Sequence, residues 1–395
     1  MKKRKDKFKN VLNTGETQLS SGAYRYRYTD MFGIRRSVNA DTLAGLRQKE
    51  KEIQESDSIG IDYNSGNITM MELVERYLQL KSANRYNTKL NYLTVTGILK
   101  KESFCQRRVK DIKVSDAKLW FMKLQRDGKR YCTITNIRGV VKPAFDLAWD
   151  EEIIRRNPFD FKITDAIVND TVHREALTLE QQDELLKFFS TDKHYSRYYD
   201  EVIVLLETGM RVNEFCGLTK KDLDFENKRI NVDHQIVKGR LKGEYDYWIE
   251  KPKTNSGKRI LPMTPKCEQA LRNILANRQK PKVEMIINGY SGFILLDKNG
   301  NPKHGLHVEH MFKWARVKYD KLYPNNNFPH VTPHVLRHTF CTNMARAGMD
   351  IKALQYLMGH SDAGVTLNVY AHTNYEHAEA QLKKLHFSAA EEQAK

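Results

Sequence analysis

Five cysteines in 395 residues (Cys105, Cys132, Cys216, Cys267 and Cys341), odd in number, widely spaced and without a CxxC pair, support neither a disulfide framework nor a cysteine zinc site. A reducing cytosol is the expected compartment. No apolar run approaches the roughly 18 residues of a membrane span, and the mean hydropathy of -0.65 argues the same way. Even the apolar stretch Val202 to Leu206 is bracketed by Glu201 and Glu207. The basic start from Met1 to Lys9 lacks the following apolar segment of a secretory signal, so export is not expected. P-loop, GxGxxG and HExxH patterns are missing, which removes the usual nucleotide-binding and zinc-protease readings. There is no internal repeat and no long low-complexity stretch.

Acidic residues are in short supply against basic ones: 49 Asp and Glu face 66 Lys and Arg, for a net charge of +17. Solubility alone does not ask for that much, and a polyanionic partner is the expected reason. A hydrophobic content of 40% is enough to build cores. At about 150 residues per domain, the length predicts two or three domains.

Residues 1–55 hold 13 Lys and Arg against 7 Asp and Glu, a net of +6. There Tyr24, Tyr26 and Tyr28 alternate with Arg25 and Arg27, which at the period of a strand puts aromatics on one face and cations on the other. Residues 30–33 read as a turn, 34–38, with Arg35 and Arg36, as a returning strand, and Asp41 or Thr42 as the cap of a helix carrying Leu43, Leu46 and Ile53. Cations in this unit either meet phosphates or are simply solvated. Residues 56–67 read as a linker. Thr69 with Glu72 forms a capping box that opens a helix, and helical patterns at about 86–100, 115–126 and 133–150 make 68–158 a small all-helical domain. Residues 159–174 lack periodicity and read as a second linker. Thr178 with Gln181 is another capping box, and 175–395 mixes helices with a strand-rich stretch from about Arg229 to Pro262. The predicted fold class is multidomain, mainly α-helical with small β-sheets: a small αβ unit, an all-α domain and a mixed α+β domain.

Four local patterns carry potential chemistry, and each has an ordinary structural explanation when taken alone. In Thr208-Gly209-Met210-Arg211-Val212-Asn213-Glu214 an apolar helix stops at glycine and Arg211 stands at the entrance of the next turn, with Glu214 on the same face to hold its guanidinium. In Thr332-Pro333-His334-Val335-Leu336-Arg337-His338, threonine as N-cap and proline at the first helical position place His334 and Arg337 on one face near the free N–H groups of the first turn. His330, His334 and His338 share a four-residue spacing, but Pro333 puts His330 before the helix and no carboxylate completes a ligand set, so no metal is expected. His360 follows a helix ended by Gly359, and Tyr370 comes ten residues later. Lys253 lies in Lys251–Arg259, a turn-rich stretch between two strand-like runs that reads as a hairpin tip.

In their order and contexts these patterns resemble the tyrosine recombinases, the lambda-integrase-like site-specific recombinases, and within them the integrases of conjugative transposons. The family's series of Arg, hairpin Lys, His-x-x-Arg, Gly-His and Tyr is matched by Arg211, Lys253, His334, Arg337, His360 and Tyr370. The resemblance implies an arm-binding domain at 1–55, a core-binding domain at 68–158 and a catalytic domain at 175–395. It implies cleavage and rejoining of double-stranded DNA through a 3'-phosphotyrosyl intermediate and a Holliday junction, with Tyr370 as nucleophile and no cofactor. Arg211 and Arg337 would clamp the phosphate, His360 would donate a further hydrogen bond, His334 would assist proton transfer or orientation, and Lys253 would be the general acid. Arg25, Arg27, Arg35 and Arg36 would contact DNA at arm sites. Four protomers would assemble on core and arm sites, with an excision factor or host DNA-bending protein as possible partners, in the bacterial cytoplasm at the nucleoid, and with no membrane contact. A helical tail at 375–387 would pack on its own domain or dock on a neighbouring protomer. A type IB topoisomerase and a DNA-binding regulator that keeps the fold without catalysis stand as alternatives.

Overall fold

The computed structural model describes residues 4–29, 33, 35–58, 68–81, 85–172, 175–241, 244–252, 254–324 and 328–370. They belong to two compact units, 1–172 and 173–395.

The first unit opens with antiparallel strands β1 (Glu16–Gln18), β2 (Tyr24–Thr29) and β3 (Arg35–Ala40), in that order across the sheet, followed by helix α1 (Leu43–Ser58). Register pairs Arg25 with Asn39, Arg27 with Ser37 and Thr29 with Arg35, and at the alternate positions Tyr24 with Ala40, Tyr26 with Val38 and Tyr28 with Arg36. Residues directly opposite each other share a face. Arg25, Arg27 and Arg35 therefore lie on one face and the tyrosines on the other, where α1 packs. Arg47 of α1 pairs at 3.1 Å with Glu16, the register partner of Tyr26, and Tyr24, Leu46 and Ile53 are buried. Arg36 does not join the other three arginines, because consecutive strand residues point to opposite faces. Helix α1 runs to Ser58, beyond the boundary expected at 55.

Helices α2 (Met70–Leu80), α3 (Tyr86–Leu99), α4 (Val114–Arg126) and α5 (Tyr131–Asp150) follow. The expected capping box is formed: Thr69 Oγ1 accepts from the Glu72 N–H at 3.2 Å, and Glu72 Oε2 accepts from the Thr69 N–H at 2.7 Å. Ile134, Ile137, Val141, Ala144, Phe145 and Ala148 form one buried stripe of α5. Residues 159–167, read from sequence as part of a linker, instead complete this core. Phe159 is fully buried and its ring lies 4.9 Å from Phe145, 5.6 Å from Phe121 and 6.1 Å from Trp120. Arg138 donates to the carbonyls of Phe159 and Phe161, which satisfies irregular backbone inside the fold. The segment fills a gap among helices, so it has no reason to follow a helical or strand period.

The second unit runs α6 (Leu179–Thr191), α7 (Tyr199–Thr208), α8 (Val212–Gly217), β4 (Leu223–Asp224), β5 (Arg229–Val232), β6 (Gln235–Leu241), β7 (Glu244–Glu250), β8 (Arg259–Pro262), α9 (Pro265–Ala276), α10 (Gly305–Leu322), α11 (Pro333–Arg346), α12 (Ile351–Met358) and α13 (Ala363–Tyr370). Val202 to Leu205 are all buried, so α7 is a core helix covered on every side, with α9 and α11 among its neighbours. β4, β5 and β8 form one antiparallel sheet, and β6 pairs with β7 alone. The hairpin is therefore β6–β7, closing where Leu241 faces Glu244. β7 and β8 belong to different sheets, with a 3-10 turn at Asn255–Gly257 between them, so they do not form the hairpin that the sequence pattern at Lys251–Arg259 implied. Among the described residues no helix is long and apolar enough to cross a membrane.

Phe159→Ala should cost about 3–5 kcal/mol, the usual range for removing a fully buried ring, in urea unfolding of the full chain followed by a probe in residues 1–172. A change within about 0.5 kcal/mol, typical of exposed positions, would return the residue to a linker.

Candidate active site

Helix α7 ends at Gly209 with φ of +59°. A Cβ there would sit 2.4 Å from the Phe340 ring, so both backbone conformation and space demand glycine. The turn after it delivers Arg211 to the N-cap of α8. Glu214 reaches back to that residue twice: Oε2 accepts from the Arg211 N–H at 3.0 Å and Oε1 from Nη1 at 2.8 Å. Arg211 Nη2 donates to the carbonyl of Gly359 at 3.0 Å. Its side chain remains 41% exposed.

Thr332 caps α11, accepting from the Val335 N–H at 3.3 Å, with Pro333 at the first helical position as expected. One turn in, Arg337 is only 6% exposed and donates to the carbonyls of Gly209, at 2.7 Å, and Met358. These carbonyls lie at the C-terminal ends of α7 and α12, where helix geometry leaves acceptors without partners and the dipole is negative. Burial, and then the neighbouring Arg211 and Arg259 charges, push Arg337 down to about 9, which leaves it charged at neutral pH.

Gly359 ends α12 with φ of +60° and turns the chain to His360, whose Nδ1 lies 3.0 Å from the buried hydroxyl of Thr366. Burial, and then the charges of Arg337 and Arg211, lower the imidazole to about 4. It is neutral at neutral pH, and a Thr366 hydroxyl that donates to Nδ1 leaves the ring proton on Nε2. His334 is exposed at the second position of α11. Arg211, His334, Arg337 and His360 line one open cleft of about 810 Å³, with His310, Lys313 and Arg316 of α10 also on its wall. Tyr370 is the last residue of α13, a helix packed against α11 and α12. Its side chain, Lys253 and the tail at 375–387 lie outside the described residues.

Arg259 is the residue of this site that sequence reasoning missed. Its side chain is fully buried, and it donates through Nη2 to Glu214 Oε2 at 2.9 Å and through Nε to the Leu357 carbonyl at 2.7 Å. The signal was present: on β8 the inward positions are Arg259 and Leu261, and an arginine on the buried side of a strand requires an acidic partner. Burial pushes the Glu214 carboxyl up, and the hydrogen bonds and charges of Arg259 and Arg211 more than reverse this, holding it below the ordinary carboxylate range.

Among the described residues, Asp222, Asp233 and His234 place possible metal-ligand atoms within 4.8 Å of one another. Those atoms already have partners: His234 Nδ1 lies 2.6 Å from Asp233, its Nε2 lies 2.7 Å from the Gly217 carbonyl, and Asp222 Oδ2 accepts from Thr219. The cluster reads as a structural pairing.

Residues 175–377 match the phage integrase family, and residues 1–57 match the DNA binding domain of Tn916 integrase. The chain belongs to the phage integrase family. It is 41% identical over 396 residues to the transposase from transposon Tn916 of Enterococcus faecalis, covering 97% of this chain and 96% of that protein. A structure of the Tn1549 transposon integrase in complex with a circular intermediate DNA superposes with a TM-score of 0.75 at 39% identity, covering 80% of this chain and 99% of that one. A lambda integrase tetramer bound to a Holliday junction shares the fold, with a TM-score of 0.55 at 17% identity over 89% of this chain and 97% of that one. This integrase is thus a tyrosine recombinase, an enzyme that cuts and rejoins DNA. Relatives of this kind do not favour the topoisomerase or the non-catalytic regulator.

The unfolded chain takes up a proton on His360 near the ordinary 6.5, the folded chain only near 4. Between those values the unfolded state binds more protons, so stability falls as pH drops through that window. His304, lowered to about 4 chiefly by burial, acts in the same direction. His360→Asn should flatten, without abolishing, the slope of unfolding free energy against pH from 6.5 to 4. A slope that the substitution leaves unchanged would contradict a neutral His360.

Proposed function

We propose that this integrase inserts and excises a conjugative transposon, and that Arg211, Lys253, His334, Arg337, His360 and Tyr370 perform its chemistry. The observation that carries this is the meeting of Arg211, Arg337 and a neutral His360 on one cleft, from three helix ends far apart in sequence, beside the helix that ends at Tyr370.

Cleavage begins when the Tyr370 phenolic oxygen attacks the scissile phosphorus. A 3'-phosphotyrosyl bond forms, the bond to the 5'-oxygen breaks, and that oxygen takes a proton to leave as a hydroxyl. In this reading Lys253 gives that proton as general acid. His334 assists the removal of the phenolic proton. Arg211 and Arg337 neutralise charge that builds on the nonbridging oxygens, a task suited to planar, permanently charged forks. His360 adds a hydrogen bond without adding a charge. The phosphotyrosyl ester stores the energy of the broken bond, so attack by the 5'-hydroxyl of another strand rejoins DNA with no nucleotide cofactor. Pairwise exchange of strands then passes through a Holliday junction.

Two exchanging duplexes present four scissile phosphates, which calls for four protomers. In this reading residues 1–55 bind arm sites, 68–158 core sites, and 175–395 carry catalysis, with the tail at 375–387 packing on its own domain or docking on a neighbouring protomer. The open sheet face bearing Arg25, Arg27 and Arg35 is the arm-site surface, and an excision factor or host DNA-bending protein is the further partner at the bacterial nucleoid in the cytoplasm.

On nicked suicide duplexes that carry the element's joined ends, the protein should form a covalent adduct visible on a denaturing gel, and Tyr370→Phe should form none. An adduct that survives the substitution would exclude Tyr370 as nucleophile. Lys253→Ala should slow cleavage while leaving DNA affinity nearly unchanged; a large loss of affinity would contradict its role as acid. Replacing Arg25 and Arg27 with alanine should lower the salt slope of arm-site binding by up to about two units, and an unaltered slope would mean that the face is only solvated.

A further inference from the structure

Arg259 is fully buried on a strand of four residues and has its three side-chain nitrogens bound to three separate segments of chain. Nη1 and Nη2 fork onto Glu214, at 3.3 Å to Oε1 and 2.9 Å to Oε2. Nη1 also donates to the Gly257 carbonyl at 3.2 Å, and Nε to the Leu357 carbonyl at 2.7 Å. The surroundings are close-packed. A Cβ on Gly359 would lie 3.0 Å from Nη1 and 3.1 Å from the Ser256 carbonyl, and one on Gly257 would lie 2.4 Å from Pro252. A second tie joins β8 to α12, the Ile260 N–H donating to the Tyr356 hydroxyl at 3.0 Å.

Glu214 is shared between two arginines. Oε1 serves Nη1 of both, and Oε2 serves the Arg211 N–H and Arg259 Nη2. With Arg211 alone, this carboxylate would cancel the guanidinium charge and would be free to draw it into a full two-bond pair, away from the cleft. Arg259 prevents both. It takes part of both carboxylate oxygens, and it leaves the group of Arg211, Glu214 and Arg259 with a net positive charge. Stability does not explain such an arrangement, since apolar residues of similar volume commonly replace buried ion pairs at no loss.

We propose that Arg259 is a positioning residue for DNA cleavage: by sharing Glu214 it leaves the charge of Arg211 uncancelled and aimed at the scissile phosphate, and it ties that clamp to Gly257 and to the end of α12. The proposal rests on the reading of Arg211 as a phosphate clamp. A residue that acts through charge on the phosphate has a signature that a purely structural residue lacks. Replacing one nonbridging oxygen by methyl removes the negative charge of the phosphate, and with it the need for a charged clamp.

The test compares early adduct formation per bound complex, by the full-length protein, on nicked duplexes of the element's joined ends with either a phosphate or a methylphosphonate at the scissile position. Arg259→Gln should lose on the order of 100-fold on the phosphate, as misplaced catalytic groups do, and the deficit should shrink at least about tenfold on the methylphosphonate. Arg259→Lys, which keeps the charge but not the fork, should fall between wild type and Arg259→Gln on the phosphate, and it gives the same comparison of substrates should Arg259→Gln not fold. Equal deficits on the two substrates, or wild-type cleavage of the phosphate, would overturn the proposal. Arg211→Ala separates the two levels of the argument. If its deficit shrinks on the methylphosphonate and that of the Arg259 variants does not, the positioning role alone fails. If neither shrinks, the phosphate-clamp reading fails with it.

Discussion

A carboxylate taken out of water between two guanidiniums organises the catalytic unit. Desolvating Glu214 costs several kcal/mol, and the cost is offset only if both oxygens are fully used in good geometry. They are: Arg211 supplies a backbone and a side-chain donor from the start of α8, and Arg259 supplies its fork from β8. Meeting that demand draws an N-terminal helix turn, a strand and, through Leu357 and Gly359, the end of α12 to one point.

Helix ends supply the rest. The carbonyls of Gly209, Met358 and Gly359 lack helical partners and carry the negative end of the dipole, so they accept from Arg337 and Arg211 at little cost to the core. Both glycines take the left-handed conformation that lets the chain leave immediately after the helix, which places the next motif residue within reach. Three guanidiniums and one carboxylate remain, and beside them His360 is kept neutral. Positive potential is thereby concentrated in the cleft with few polar groups that must reorient during reaction.

Charge elsewhere has a different use. The net +17 of the chain is spread mostly over exposed lysines and arginines, whose ion pairs contribute little to stability, and over the open face of the amino-terminal sheet. Such charge sets affinity and its salt dependence. The charge that serves chemistry is a small subset in which Arg259 and Arg337 are buried and Arg211 opens onto the cleft, so placement, more than number, distinguishes it.

Local rules made much of this legible in advance. Thr69, Thr178 and Thr332 announced helix starts, Gly209 and Gly359 announced helix ends, and alternation in Tyr24–Tyr28 separated arginines from tyrosines, because each depends on residues a few positions apart. The same rules misread Lys251–Arg259 as a hairpin tip and 159–167 as linker. Strand partners are chosen by distant chain, and a segment that fills a gap between helices follows no period. By itself, then, the sequence determined where helices begin and end, that Arg211 and Glu214 would pair, and which residue types bear the chemistry. Only the tertiary structure decided that Arg259 completes the site and that Arg337 and His360 share its cleft. Those contacts join residues as close as 21 positions, Arg337 with Met358, and as far as 148, Arg211 with Gly359, and it is burial in the folded unit that makes the charges act on one another.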